Sequence, residues 1–104
     1  MKVLVADRLE RDGLAVLQKE RGLKVDVKVG LRPEELRQII PSYDAVIVRS
    51  STQLTKEVIE IARNLKVIGR AGVGVDNVDL ETATKRGIIV MNTPEGNTTA
   101  TAEH

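Results

Sequence analysis

Apolar residues along this chain switch between two spacings. Short runs rich in Val and Ile read as strands at Lys2–Ala6, Lys24–Val29, Ala45–Val48, Lys66–Arg70 and Ile88–Met91, and the stretches between them carry apolar positions at the 3.6-residue spacing of a helix. Five strands alternating with four helices are the pattern of parallel strands joined by crossover helices. Strands with Val or Ile at consecutive positions predict a sheet covered on both faces, whereas Val25-Asp26-Val27-Lys28-Val29 alternates and reads as an edge strand.

The helices announce their ends. Pro33 suits a first helical position, Glu34 and Glu35 favour the positive helix end, Leu36, Ile39 and Ile40 form a buried stripe, and Pro41 is expected to stop the helix. Thr55 is the expected cap of the next helix, with Leu54 and Ile59 at the two staple positions and Val58, Ile61, Ala62 and Leu65 facing the sheet. Asp79 caps the last helix, which Lys85, Arg86 and Gly87 close. The first helix, near Arg11–Glu20, contains Gly13 and has the weakest cap. Right-handed crossovers covering both faces lead to a doubly wound α/β fold of order 2-1-3-4-5, the flavodoxin-like architecture. A fifth helix should follow the last strand, but only Thr98–His104 remain after the Asn92–Asn97 loop, too few residues for a helix stable without packing.

Composition narrows the chemistry. Lys and Arg number 16 against 15 Asp and Glu, which asks for neither nucleic acid nor a membrane. Tyr43 is the one aromatic residue, leaving flavins and single-stranded nucleic acids little to stack on. Without cysteine there is no thiolate chemistry, and the lone His104 cannot build a histidine-rich metal site. No signal peptide is evident at the amino terminus, so a cytoplasmic protein is the expectation.

Ligands of doubly wound sheets bind beyond the carboxyl ends of the strands. There the sequence offers Asp7, then Arg49-Ser50-Ser51-Thr52, then Gly72-Val73-Gly74-Val75-Asp76-Asn77, then Asn92–Asn97. A guanidinium, hydroxyls and a glycine-rich loop suit an anionic, hydroxylated small molecule. The glycine pattern lacks the third glycine of a dinucleotide loop, Asn77 stands where helix and strand should pack closely, and Asp76 brings negative charge toward a pyrophosphate. A tight turn whose amides approach a carboxylate is the better reading. Arg49 is read as an anion contact because of its hydroxyl neighbours, with a plain surface arginine as the alternative, and Arg70 is equally consistent with a salt bridge or an anion contact. A phosphoacceptor receiver domain fails, since Arg49 and Asn92 stand near the places of its acceptor aspartate and its lysine.

Taken together, Ala45–Thr52, Lys66–Asp79 and Gly87–Pro94 with Gly96-Asn97-Thr98 and Ala102-Glu103-His104 resemble the D-isomer-specific 2-hydroxyacid dehydrogenases, and the tail is most similar to their phosphoglycerate dehydrogenase branch. The resemblance implies a two-domain NAD enzyme that oxidises a 2-hydroxy acid, with residues 1–96 forming a segment of the substrate-binding domain and 97–104 the start of the interdomain helix. It implies substrate contacts from Arg49 and Ser50, a cleft lined by Val73 and Gly74 with Val73 also touching the nicotinamide edge, a weaker phosphate contact from Arg70, and a hinge position for Asn97. The family's catalytic arginine, glutamate and histidine and its cofactor loop fall outside this chain, so no catalytic residue is assigned, no cofactor is expected on the chain alone, and the chain is expected to fold yet be inactive. The expected partners are a phosphorylated hydroxy acid, weakly bound, the cofactor domain, and a second copy covering the surface that the closing helix would occupy. A sister dehydrogenase of glycerate, glyoxylate or lactate, or a stand-alone binding domain, are the alternatives.

Overall fold

The computed structural model describes residues 1–7, 19, 22–49, 52–71 and 77–93. They form one parallel sheet of order β2-β1-β3-β4-β5, made of β1 (Lys2–Val5), β2 (Lys24–Val27), β3 (Ala45–Val48), β4 (Val67–Ala71) and β5 (Ile89–Thr93). The order is the one expected from the alternation of strand and helix patterns, and β2 lies at an edge as its alternating sequence requires. Three α-helices are described, α1 (Pro33–Ile39), α2 (Lys56–Ile61) and α3 (Leu80–Lys85). The helix expected near Arg11–Glu20 and the segment after Thr93, including the expected lack of a fifth helix and the boundary at residue 97, lie outside the described residues.

Register explains where the core sits. Leu4, Val46, Ile68 and Val90 stand side by side across four strands on one face, and the first three are fully buried. Leu36, Ile40, Val58, Ile59, Ala62 and Ala83 pack into the same cluster, so the helices close this face by aliphatic contact. On the opposite face Val3, Ala45, Val67 and Ile89 are in register, and burial fades along the row: Val3 is 3% exposed and Ile89 61%. Met91, the next residue on that side of β5, is 52% exposed. The expectation of cover on both faces therefore holds near β1 and fails at β5.

The helix signals act largely as read. The Arg32 amide donates to the Glu35 carboxylate at 2.9 Å, ahead of Pro33. Pro41 does not stop the helical path outright: a 3-10 turn, Ile40–Ser42, carries it on, because proline near the start of such a turn forfeits no needed N–H. Thr55 accepts from the Val58 amide, and Leu54 and Ile59 are both fully buried. Ile61 departs from expectation at 37% exposed; α2 is only six residues long, and Ile59 takes the inward place. At the end of α3 the Gly87 amide donates to the Thr84 carbonyl at 3.0 Å and the Ile88 amide to that of Ala83 at 2.9 Å. Gly87 has φ of 74°, the left-handed conformation this pair of bonds demands. The Arg86 guanidinium does not serve its own helix. It donates to the carbonyls of Ile59 and Ala62, closing the carboxyl end of α2 and tying the two helices together.

Tyr43 is buried, donates to the Asp26 carboxylate at 2.7 Å, and lies 5.1 Å beneath the Lys2 ammonium. Burial, followed by the hydrogen bond to and the charge of Asp26, pushes the phenol up to about 12. Below its ordinary value of 10.0 the phenol is neutral whether the chain is folded or not, so its contribution is complete and constant. Between 10 and 12 only the unfolded chain releases the proton, so stability falls as pH rises through that window, by about 2 kcal/mol. Tyr43→Phe is expected to cost about 1 kcal/mol at pH 7 and to remove this alkaline loss. Urea unfolding of both chains at pH 8 and pH 12 checks it through the difference between them, in which the lysines they share cancel.

Candidate functional site

The carboxyl ends of β1 and β3 meet at Asp7. This residue stands two positions beyond the end of β1, is 4% exposed, and must find hydrogen-bond donors where the sheet ends. The residues after β3 provide them. The Arg49 amide donates to Oδ2 at 2.6 Å, the Thr52 amide to the same oxygen at 3.0 Å, and the Thr52 hydroxyl to Oδ1. Parallel pairing of β1 with β3, with the Ala6 amide on the Ile47 carbonyl at 2.9 Å, puts the two ends within reach.

Asn77 completes the arrangement from the side of β4. It is buried, and its Nδ2 donates to the carbonyl of Arg49 and, at 2.8 Å, to that of Thr52. Its own backbone carbonyl accepts from the Leu54 amide at 2.7 Å, and the Leu54 carbonyl accepts from the Asp79 amide at 2.9 Å. Leu54 and Val78 thereby form a small parallel bridge that carries the chain into α3.

Of the residues the sequence singled out, the structure places two. Arg49 is half-buried at the end of β3, its backbone held by Asp7 and Asn77. Arg70, in β4, pairs in register with Val48 and is only 7% exposed, at the carboxyl end of the helix-covered face. Both arginines make further polar or electrostatic contacts within the chain. Ser50, Val73, Gly74 and Asn97 lie outside the described residues. Sequence reasoning missed the work of Asp7 and Asn77. In the sequence Asp7 stands only as one of several polar residues beyond the strand ends, and Asn77 as an intruder in a cofactor loop.

Among the described residues, the start of α3 is taken by the Asp79 carboxylate, which accepts from the Thr82 amide at 3.1 Å, and the preceding Asn77 is locked onto backbone carbonyls. Among the described residues no group of three acidic, histidine or cysteine side chains could hold a metal ion, and no helix is long and apolar enough to cross a membrane. A shallow crevice on the outer surface between α2 and α3, lined by Lys56, Glu60, Glu81 and Lys85 among others, mixes exposed charges of both signs and has none of the strand-end chemistry. Among the described residues the strand ends offer Arg49, on a backbone fixed from two sides, and Arg70; guanidinium groups are the usual partners of carboxylates and phosphates.

Comparison with known proteins gives the family. The family profile described as D-isomer specific 2-hydroxyacid dehydrogenase, catalytic domain, matches residues 3–104. The chain is 54% identical over its full length to the D-3-phosphoglycerate dehydrogenase of Archaeoglobus fulgidus, of which it spans 20%. Its fold is similar to that of the NAD+-bound 3-phosphoglycerate dehydrogenase of Entamoeba histolytica, with a TM-score of 0.81 at 31% identity, covering 99% of this chain and 36% of that one. It is also similar to an NAD-dependent formate dehydrogenase from Staphylococcus aureus, with a TM-score of 0.73 at 32% identity, covering 100% of this chain and 34% of that one. The chain thus spans about a fifth of the length of the curated relative and about a third of these solved chains.

Thr52→Val keeps the shape of the side chain and deletes its hydroxyl. The expected cost is about 1.5–3 kcal/mol, the range for a hydrogen bond to a charged group, against less than about 0.5 kcal/mol for an exposed control such as Gln53→Ala. Chemical denaturation of the two variants measures the difference; a Thr52→Val loss no larger than the control's would show that the hydroxyl contributes nothing to holding Asp7.

Proposed function

We propose, since the chain belongs to the D-isomer specific 2-hydroxyacid dehydrogenase family, that it forms the substrate-recognising part of an NAD-dependent oxidation of D-3-phosphoglycerate in serine biosynthesis. The observation that carries this reading is the 54% identity to a D-3-phosphoglycerate dehydrogenase across the whole chain. The strand-end geometry supports it from the chemical side. In this reading Arg49 grips an anionic group of the substrate and Ser50 adds a hydroxyl. Val73 and Gly74 line the cleft, with Val73 also at the edge of the nicotinamide, and Asn97 sits at the hinge. Arg70, nearly sealed from solvent, is the weaker candidate for the phosphate. Nicotinamide supplies the hydride acceptor when bound. The residues of this chain bind and orient the hydroxy acid, while the groups that hold the cofactor and remove the hydroxyl proton belong to other parts of the enzyme, so the chain alone is inactive. The second reading, a sister enzyme acting on glycerate, glyoxylate or lactate, is favoured by the likeness to a dehydrogenase named for formate, because one scaffold then accompanies different small acids.

Titration of the isotope-labelled chain with 3-phosphoglycerate tests the reading. Binding near millimolar, or roughly −4 kcal/mol, is expected to shift the amides of Arg49 and residues 72–77, with glycerate binding more weakly for want of the phosphate. Arg49→Ala is expected to weaken binding about tenfold. Shifts confined to the amino-terminal ends of the strands, or an unchanged affinity for the variant, would refute it.

The open side of β5, with Ile89 and Met91 half or more exposed, is proposed to be where two copies associate, because apolar side chains side by side on an edge strand favour cover. Sedimentation equilibrium should show a mass above 11.4 kDa that rises with concentration, and Ile89→Lys should return it to the monomer. A monomer mass for the unaltered chain at millimolar concentration would end the proposal.

A further inference from the structure

We infer that Asn77 is a positioning residue: together with Asp7 it fixes both ends of the Arg49–Thr52 segment, so that the groups this segment presents are held in place before any ligand arrives. The inference rests on the proposed anion-binding role of that segment and says how the site is kept in order.

Its basis is a complementary division of the backbone. The two N–H groups of Arg49 and Thr52 go to the Asp7 carboxylate. The two carbonyls of the same residues go to the Asn77 amide. Arg49 and Thr52, the two ends of the segment, therefore each have both backbone groups engaged. The two clamps follow different strands, Asp7 just beyond β1 and Asn77 in the stretch between β4 and α3, which makes the pose of the segment depend on both neighbours of β3.

The chemistry of Asn77 points the same way. Two carbonyl oxygens require two N–H donors from one short side chain, which among side chains of this size only asparagine supplies. Turning the amide over would set Oδ1 against both carbonyls. In the observed orientation Oδ1 is buried without a hydrogen-bond partner, a cost that a residue serving only to fill space would not carry. Asn77 also directly follows the glycine-rich residues 72–76, and its carbonyl holds Leu54, so one residue joins the segment after β3 to the segment after β4.

The test uses the full chain with Asn77→Ala, which deletes the donors, and Asn77→Asp, which replaces them by an acceptor facing the carbonyls. Amide hydrogen exchange is read at Arg49 and Thr52, at Leu4 and Ile68 in the sheet, and 3-phosphoglycerate affinity is measured at a temperature where each variant is folded. Positioning predicts exchange at Arg49 and Thr52 faster by about tenfold or more, with Leu4 and Ile68 little changed, and affinity weaker by about fivefold or more. Should Asn77→Asp not fold, Asn77→Ala decides alone. Unchanged exchange at Arg49 and Thr52, or equal acceleration at all four amides, would overturn the inference, the latter by showing a general stabilising role. If the unaltered chain fails to bind 3-phosphoglycerate while exchange behaves as expected, the clamp stands and the proposed substrate falls.

Discussion

A buried carboxylate has to be given donors, and the fold around Asp7 is arranged so that one neighbouring strand gives them. Asp7 leaves β1 with 4% of its surface exposed. The donors that reach it belong to Arg49 and Thr52, some 42 and 45 residues further on, and are brought there only because β3 pairs in parallel beside β1. An antiparallel neighbour would end at the other edge of the sheet and leave the carboxylate unsatisfied, at a cost of several kcal/mol. The parallel order is thus tied to the site as well as to the core: the pairing that aligns Leu4 with Val46 also delivers the amides to Asp7.

That dependence explains which features were legible in the sequence. Strand order, the edge position of β2, the caps at Thr55 and Asp79 and the turn at Gly87 all follow from neighbours a few residues apart, where periodicity and capping chemistry operate. The clamp joins residues that no local pattern connects. Asp7 to Thr52 and Asn77 to Arg49 are long-range contacts, and an aspartate after a strand or an asparagine after a glycine-rich loop has several local explanations. The usable signal was chemical: two short polar side chains at strand ends, where a buried backbone segment needs both donors and acceptors. Ile61 departs from its expected side, and Arg86, which caps α3 through its amide as expected, sends its guanidinium to α2, for a related reason. The length of α2 and the packing of α2 against α3 decide which side Ile61 occupies and where the Arg86 side chain reaches, and neither is written in the sequence of one helix.

Cover on the sheet shows a matching asymmetry. The helix side is sealed by an aliphatic cluster that runs from Leu4 to Ile68, while the other side loses cover toward β5, where Ile89 and Met91 stand exposed. Hydrophobic burial is therefore concentrated around β1, β3 and β4, the three strands whose ends build the candidate site. Strands that are both central and sealed open last, which gives the clamp a firm base. Local opening is cheapest at the two edge strands, β2 and β5, each of which has one strand neighbour.

Under the proposed function, firmness at that base matters because of what a small anion demands. A carboxylate or phosphate is recognised by a few directed bonds, and each loses strength steeply when a donor strays from line. A guanidinium carried on a long flexible side chain gives up conformational freedom on binding, and a backbone that also moved would add to that loss. Fixing the N–H and carbonyl groups of Arg49 and Thr52 removes the backbone share of the cost in advance. In the proposed reading, the same clamped backbone would present itself to different small acids while Asp7 and Asn77 keep their places.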